Sequence, residues 1–419
     1  MYQPSILFIN RVFPPDRGAT GRCLADLTSR FAARGWRVTV LACGDARRSG
    51  GPADAPGMSA VTMVRAGTSG RGGTTRSIDY VFALGRLLST ALRLPRHDVV
   101  VTMTDPPLLG VIGPILRLRW SCGLIHWSQD LYPDLFPVIG VALPRPALAL
   151  MARVVRTTLR HYDAVIAIGE CMARRLLQNG VEAERIEVIP NWADPVIRPV
   201  PRETNAMRLE LGLGDRFTVA YSGNFGLAHP LDALIDAAAL LARQAPEIVF
   251  LLIGEGRGLS RFRREIEVLA LPNLRLLPWQ PQDRLAESLG AADLHLASMD
   301  ERAEGMLVPS KVAGALAAGR PCILLGSSGS AAARLINDHR CGSVLASGDG
   351  KGLAQAIMAH AADRQFHRDA CSRASEAALS WSADRGAAAF IATAARAASR
   401  PGRSITPVAP APFIVSGDD

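Results

Sequence analysis

Apolar positions in this chain fall into two series of short continuous runs, each followed by a longer stretch in which apolar residues recur every three or four positions. In the first half the runs cover 5–10, 37–42, 98–102, 123–128, 164–168 and 186–189. In the second they cover 217–222, 248–253, 274–276, 294–297, 321–325 and 343–345. Strand-length runs alternating with helical periodicity predict parallel, doubly wound α/β sheets. Between the series, 191–215 is rich in proline and charge and poor in periodicity. It predicts a hinge between a first domain over 1–190 and a second over 216–380. An alanine-rich helix is expected over 381–400, and the proline-rich 401–419 reads as a disordered tail. Two such domains set the carboxyl ends of their sheets across a cleft, where open parallel sheets bind ligands.

Composition narrows the ligand. A chain of 419 residues suffices for two cores, and 48% hydrophobic residues predict a folded protein. Aromatic residues, at 5%, are too few for base-stacking platforms, and the arginines form no basic tail, so no nucleic-acid partner is expected. A net charge of +9 suits an anionic membrane surface or polyanionic small molecules such as nucleotide sugars. Seven cysteines without a C-x-x-C pair predict reduced thiols in a cytoplasmic protein. No apolar run reaches the roughly 20 residues of a spanning helix. Membrane contact, on the inner face of the cytoplasmic membrane, would be peripheral, through Arg86, Arg93, Arg96, Arg117, Arg119, Arg153, Arg156 and Arg160 among leucines. A solvated arginine face fits the same pattern.

Four loops at predicted strand ends carry the candidate chemistry. The first runs from Phe13 to Gly21, where Gly18 and Gly21 allow close approach to a ligand at a helix N-terminus. The second, from Ile125 to Asp134, holds His126 and Asp130. Asp130 reads either as a base or sugar-hydroxyl partner or as a turn residue, and His126 either as a polar contact or as a satisfied core residue. The third, Tyr221-Ser222-Gly223-Asn224-Phe225-Gly226-Leu227-Ala228-His229, offers Asn224 and His229 to a phosphate or sugar. The fourth contains Ser310 and Lys311, assisted by Gly254-Glu255-Gly256. Only two of the 47 basic residues are lysines, Lys311 and Lys351. Lysine at a predicted helix start in so arginine-biased a chain points to a compact charge on a phosphate. No His, Asp or Glu cluster has metal-ligand spacing, so no metal and no cofactor is expected.

The order PPDRGATG, IPNWAD, YSGNFG, IGEG and VPSK…AAGRP resembles the retaining GT-B glycosyltransferases of family four, in the branch of bacterial capsule, O-antigen and colanic-acid-type enzymes. The resemblance implies two Rossmann-like domains facing across a cleft, with the C-terminal helix returning to the first domain. It implies a hexosyltransferase-type enzyme that moves a sugar from a nucleotide-diphosphate sugar to a lipid-linked or glycan acceptor, with retention, in lipopolysaccharide or exopolysaccharide synthesis. By the same resemblance the donor sits mainly on the second domain and the acceptor on the first. Gly18 and Gly21 would line the donor phosphates, Asn224 and His229 the phosphate loop, and Ser310 and Lys311 would hold the diphosphate, with Glu255 near the nucleotide. Two departures stand out. The family's paired glutamates fall on Met306 and Gly314 here, Glu304 replacing the first only if two residues are inserted. Its loop cations fall on Asn224 and His229. A sugar-nucleotide epimerase of similar architecture and a non-catalytic nucleotide-sugar-binding subunit are the alternative readings.

Overall fold

The structure is a computed structural model that describes residues 2–16, 18–44, 60–67, 76–256 and 258–399. The tail expected at 401–419, and Arg17 of the first glycine loop, lie outside the described residues.

The first sheet is built from β1 (Ser5–Ile9), β2 (Arg37–Ala42), β3 (Val61–Arg65), β4 (Val99–Thr102), β5 (Gly123–Ser128), β6 (Ala164–Ala167) and β7 (Ile186–Val188), in the order β3-β2-β1-β4-β5-β6-β7. The second comprises β8 (Thr218–Ser222), β9 (Val249–Ile253), β10 (Leu274–Leu277), β11 (Leu294–Ser298), β12 (Cys322–Leu325) and β13 (Gly342–Leu345), ordered β10-β9-β8-β11-β12-β13. Every pairing in both sheets is parallel. The strands β1, β4, β5 and β6 are buried along their whole length, as sheets covered by helices on both faces require. That double burial makes them readable as unbroken apolar runs. Strand β3 escapes the reading because polar Thr62 and Arg65 break it up: Val61 is buried, Thr62 exposed and the rest intermediate, so no continuous apolar run marks it.

Strand order reverses between β1 and β4 in the first sheet and between β8 and β11 in the second. These reversals open the crevices that position the site. The helix Ala383–Ala398 leaves the second domain and packs on β4, β5 and the helix Ala19–Ala33. Its fully buried Phe390 lies 5.0 Å from Trp127, 6.1 Å from Phe31 and 6.3 Å from Phe8, ring centre to ring centre. Burial of that one side chain is worth roughly 3 kcal/mol. Arg30 pairs with Asp384, and Arg396 with Glu187, fastening the helix at both ends.

The domains also touch beside the cleft. Gly305 (φ 72°) brings the second domain so close that a Cβ there would sit 2.7 Å from the Cys171 carbonyl oxygen.

Candidate functional site

The cleft between the two sheets holds about 650 Å³ and is lined from both domains. On the second-domain side β8 ends at Ser222 and the chain turns at Gly223 (φ 135°). A Cβ at Gly223 would sit 3.1 Å from Lys311 Cε, so the glycine makes room for the lysine stem. Pro309 precedes the helix Ser310–Ala317, whose first turn carries Lys311 beside unpaired backbone N–H groups. Lys311 Nζ lies 4.9 Å from the centre of the Tyr221 ring, and no carboxylate stands within ion-pair range among the described residues. Burial lowers its ammonium pKa from 10.5 to about 8. A desolvated cation without a counter-ion favours an anionic ligand.

His229, also in the cleft, is bonded through Nδ1 to the Ser298 carbonyl. Burial, and after it the charge of Lys311, push its pKa down to about 3. The neutral ring must donate from Nδ1 to that carbonyl, which leaves Nε2 as an acceptor. This suits a sugar hydroxyl better than a phosphate oxygen. Asn224 and Ser310 are exposed at the cleft surface, and Glu255 lines it past the end of β9.

On the first-domain side, Gly18, Ala19 and Thr20 present the N-terminus of the helix Ala19–Ala33, which has no side-chain cap. Gly21 does not reach the cleft. One helical turn along, it is buried against Val12, where a Cβ would stand 3.2 Å from the Val12 carbonyl oxygen. Asp130 follows β5 and lines the cleft; its backbone N–H donates to Thr104 Oγ1 at 3.2 Å. Among the described residues its carboxylate makes no hydrogen bond or ion pair, and burial, with Asp105 adding repulsion, raises its pKa from 3.8 to about 7.

Besides Gly21, two expected site residues stand elsewhere. His126 is buried inside β5 and lines a separate cavity of the first domain. Its Nδ1 is 3.0 Å from Thr102 Oγ1, and burial pushes its pKa down to about 4. Glu304 accepts from Ser327 Oγ and lies 4.0 Å from Arg174, outside the cleft lining; the turn at Gly305 sends it toward the first domain instead. Gly314 does line the cleft, and a Cβ there would meet only Leu289 and Ile197 within 4 Å, so the site of the missing glutamate is open and apolar.

Of the other cleft residues, Gln129 lies in the second loop and Asn191 and Asp194 in IPNWAD, whereas Arg22 and Trp279 carry no local signal in the sequence. Arg22 is 3.5 Å from Asp194 and its guanidinium lies 5.7 Å from the ring centre of Trp279, across the cleft. Gln129 and Asn191 exchange side-chain amide bonds, Asn191 donating at 2.6 Å. Among the described residues no group of three or more His, Cys, Asp or Glu side chains is arranged to hold a metal ion.

Comparison with known proteins agrees with this geometry. Residues 18–192 match the family model described as "Glycosyl transferase 4-like domain", and residues 216–363 the one described as "Glycosyl transferases group 1". The chain is 31% identical over 173 residues to WcaI of Escherichia coli strain K12, named as a colanic acid biosynthesis glycosyl transferase. That match covers 40% of this chain and 42% of WcaI. It is 25% identical over 269 residues to WbjE of Pseudomonas aeruginosa, named as a glycosyltransferase, over 63% of this chain and 66% of WbjE. The matches therefore span less than two thirds of either relative. In fold, the chain is similar to Anabaena Alr3699/HepE, solved in complex with UDP-glucose, with a TM-score of 0.72, 18% identity, and coverage of 94% of this chain and 99% of that one. Each half of the chain thus carries a glycosyltransferase domain, 4-like in the first and group 1 in the second, on a GT-B fold.

Proposed function

We propose that the protein transfers a sugar, of hexosyl type, from a nucleoside diphosphate sugar to a hydroxyl of a glycan or lipid-linked acceptor during surface polysaccharide synthesis, with retention at the anomeric carbon. One observation carries the reading: Lys311 and Asp130 line one cleft from opposite domains, and among the described residues neither has an opposite charge in ion-pair range. The relative named for colanic acid synthesis and the fold neighbour solved with UDP-glucose support it.

In this reading the donor diphosphate lies on the start of the helix Ser310–Ala317, with Ser310 and Lys311 on its oxygens. Lys311 offsets the charge that develops on the departing diphosphate. His229 Nε2 accepts from a donor-sugar hydroxyl, and Asp130 accepts from the attacking hydroxyl. The leaving diphosphate itself takes the acceptor proton in a retaining transfer. Lysine and the helix start do the work of a cation, so transfer proceeds without metal and activity survives EDTA; strict dependence on manganese or magnesium overturns that part. Incubating the protein with labelled uridine, guanosine and thymidine diphosphate sugars and a lipid-linked acceptor tests the whole. Transfer supports the proposal; epimer formation, or binding without turnover, overturns it. Binding without turnover is the outcome that the open space at Gly314 favours as a second reading.

Peripheral membrane contact belongs to the same reading. On the first domain Leu118 and Leu150 are 89% and 62% exposed, and no acidic residue occurs between Asp134 and Asp163. Arg119, Arg153, Arg156 and Arg160 are exposed with them. Arg117 is not available: it is engaged by Asp163 and by the carbonyls of Cys122 and His161. No helix among the described residues is long and apolar enough to cross a membrane.

A further inference from the structure

We propose that the first domain contains a second subsite, reached beside the helix Arg145–Leu159, that takes the apolar segment of a hydroxyl-bearing amphiphilic acceptor. The proposal rests on the transfer reading above, because the subsite meets the nucleotide cleft at Asp130, which lines both.

A helix on a doubly wound sheet ordinarily buries an apolar stripe. Of the 15 residues in Arg145–Leu159 only Leu159 is buried. Ala152, Val155 and Leu159, spaced by three and four, line a cavity of about 60 Å³ that reaches inward to His126 and Asp130. That is room for roughly four water-sized groups, which suits a short apolar segment rather than a sugar ring. Leu108 on its wall is held at φ 68°, a left-handed conformation that leucine rarely adopts. The cavity is thus framed by a helix that stands off the core and by a strained loop.

Its inner end has a defined hydrogen-bond polarity. Tyr162 donates its hydroxyl proton to the Gly110 carbonyl at 2.6 Å. At the 2.7 Å contact between Tyr162 and Thr102, Thr102 must therefore donate. With its proton spent, Thr102 Oγ1 can only accept at the 3.0 Å contact with His126, so His126 carries its proton on Nδ1. Among the described residues His126 Nε2 has no hydrogen-bond partner and is left as a bare acceptor, on a residue 7% exposed. The Asp130 carboxylate is a second unpartnered acceptor at the same end. Two acceptors behind apolar walls call for a ligand that brings hydroxyl donors at one end and an apolar segment at the other.

Octyl β-D-glucoside below its micelle concentration and methyl β-D-glucoside are the probes, since they share their hydroxyls and differ in the apolar tail. Calorimetry should show the octyl compound binding at least about tenfold tighter, the return on burying two methylenes. Val155→Trp, which fills the cavity from a half-buried helical position, should abolish that preference, and Ala152→Trp should do the same. Affinity for the nucleotide sugar, measured with UDP-glucose and its guanosine and thymidine counterparts, should stay unchanged in both variants. Equal binding of the two glucosides, or a preference that survives both tryptophans, overturns the subsite. If no nucleotide sugar binds while the octyl preference appears and is lost in the variants, the subsite stands and the transfer reading falls.

Discussion

Leu131 donates its backbone N–H to the Met306 carbonyl at 2.8 Å, across the boundary between the two domains. The bond ties the residue after Asp130 to the loop that leads into Lys311. The acidic and the basic side of the candidate site are therefore registered by the backbone, independently of side-chain packing. Separation of the domains breaks this contact and the tight approach at Gly305 together.

Replacement of Lys311 by alanine should weaken nucleoside diphosphate sugar binding by about 1.5–3 kcal/mol, the range for a hydrogen bond to a charged group. Titration calorimetry with the best-binding donor checks this. Unchanged affinity would place the diphosphate elsewhere.

Asp130→Asn should reduce turnover while preserving the fold, because the amide keeps the shape and loses the charge. Its stability effect has a definite sign. The folded pKa of Asp130 is raised from 3.8 to about 7, so the native state resists ionisation that the unfolded chain accepts freely. The wild type accordingly loses stability relative to Asp130→Asn as pH rises from about 4 to about 7, and the gap is constant above that. Melting curves at pH 4 and pH 8 should show the variant's advantage only at the higher pH. An early-melting variant, or one with full turnover, would make Asp130 a structural residue.

The pH profile of kcat/KM should be a narrow bell. Activity rises as Asp130 ionises near pH 7 and falls as free Lys311 loses its proton above about pH 8. Lys311→Arg should move the alkaline limb upward, since arginine does not deprotonate in this range. An alkaline limb unmoved in that variant would mean another group titrates there.

Leu118→Asp and Leu150→Asp, both at exposed positions, should lower co-sedimentation with vesicles rich in anionic phosphatidylglycerol and leave the melting temperature in place. The effect should fade as salt rises, because surface attraction is screened. Equal binding to neutral phosphatidylcholine vesicles would refute an electrostatic contact.

Much of this architecture is legible in the sequence because most strands, covered on both faces, appear as unbroken apolar runs, whereas β3 is interrupted at its exposed Thr62 and gives none. Site residues were harder, and each discrepancy has a geometric cause. Gly21 is already inside the helix Ala19–Ala33, on a face buried against Val12, although it reads as the end of the glycine loop. Glu304 precedes a glycine with positive φ, a turn that no spacing rule anticipates. Arg22 and Trp279 are far apart in the chain and meet only because two sheets face each other. The place of Lys311 in the cleft is legible because lysine is so scarce here that its position carries information.

The docking of Ala383–Ala398 onto the first sheet has a consequence for biosynthesis. The first domain's strands emerge from the ribosome with β7, yet the Phe390 that completes their aromatic core follows roughly 200 residues later, about 10–40 s at ordinary elongation rates. Through that interval Phe8, Phe31 and Trp127 lack their final cover. The first domain to be made is therefore the last to be finished, and its completion coincides with the end of synthesis of the second.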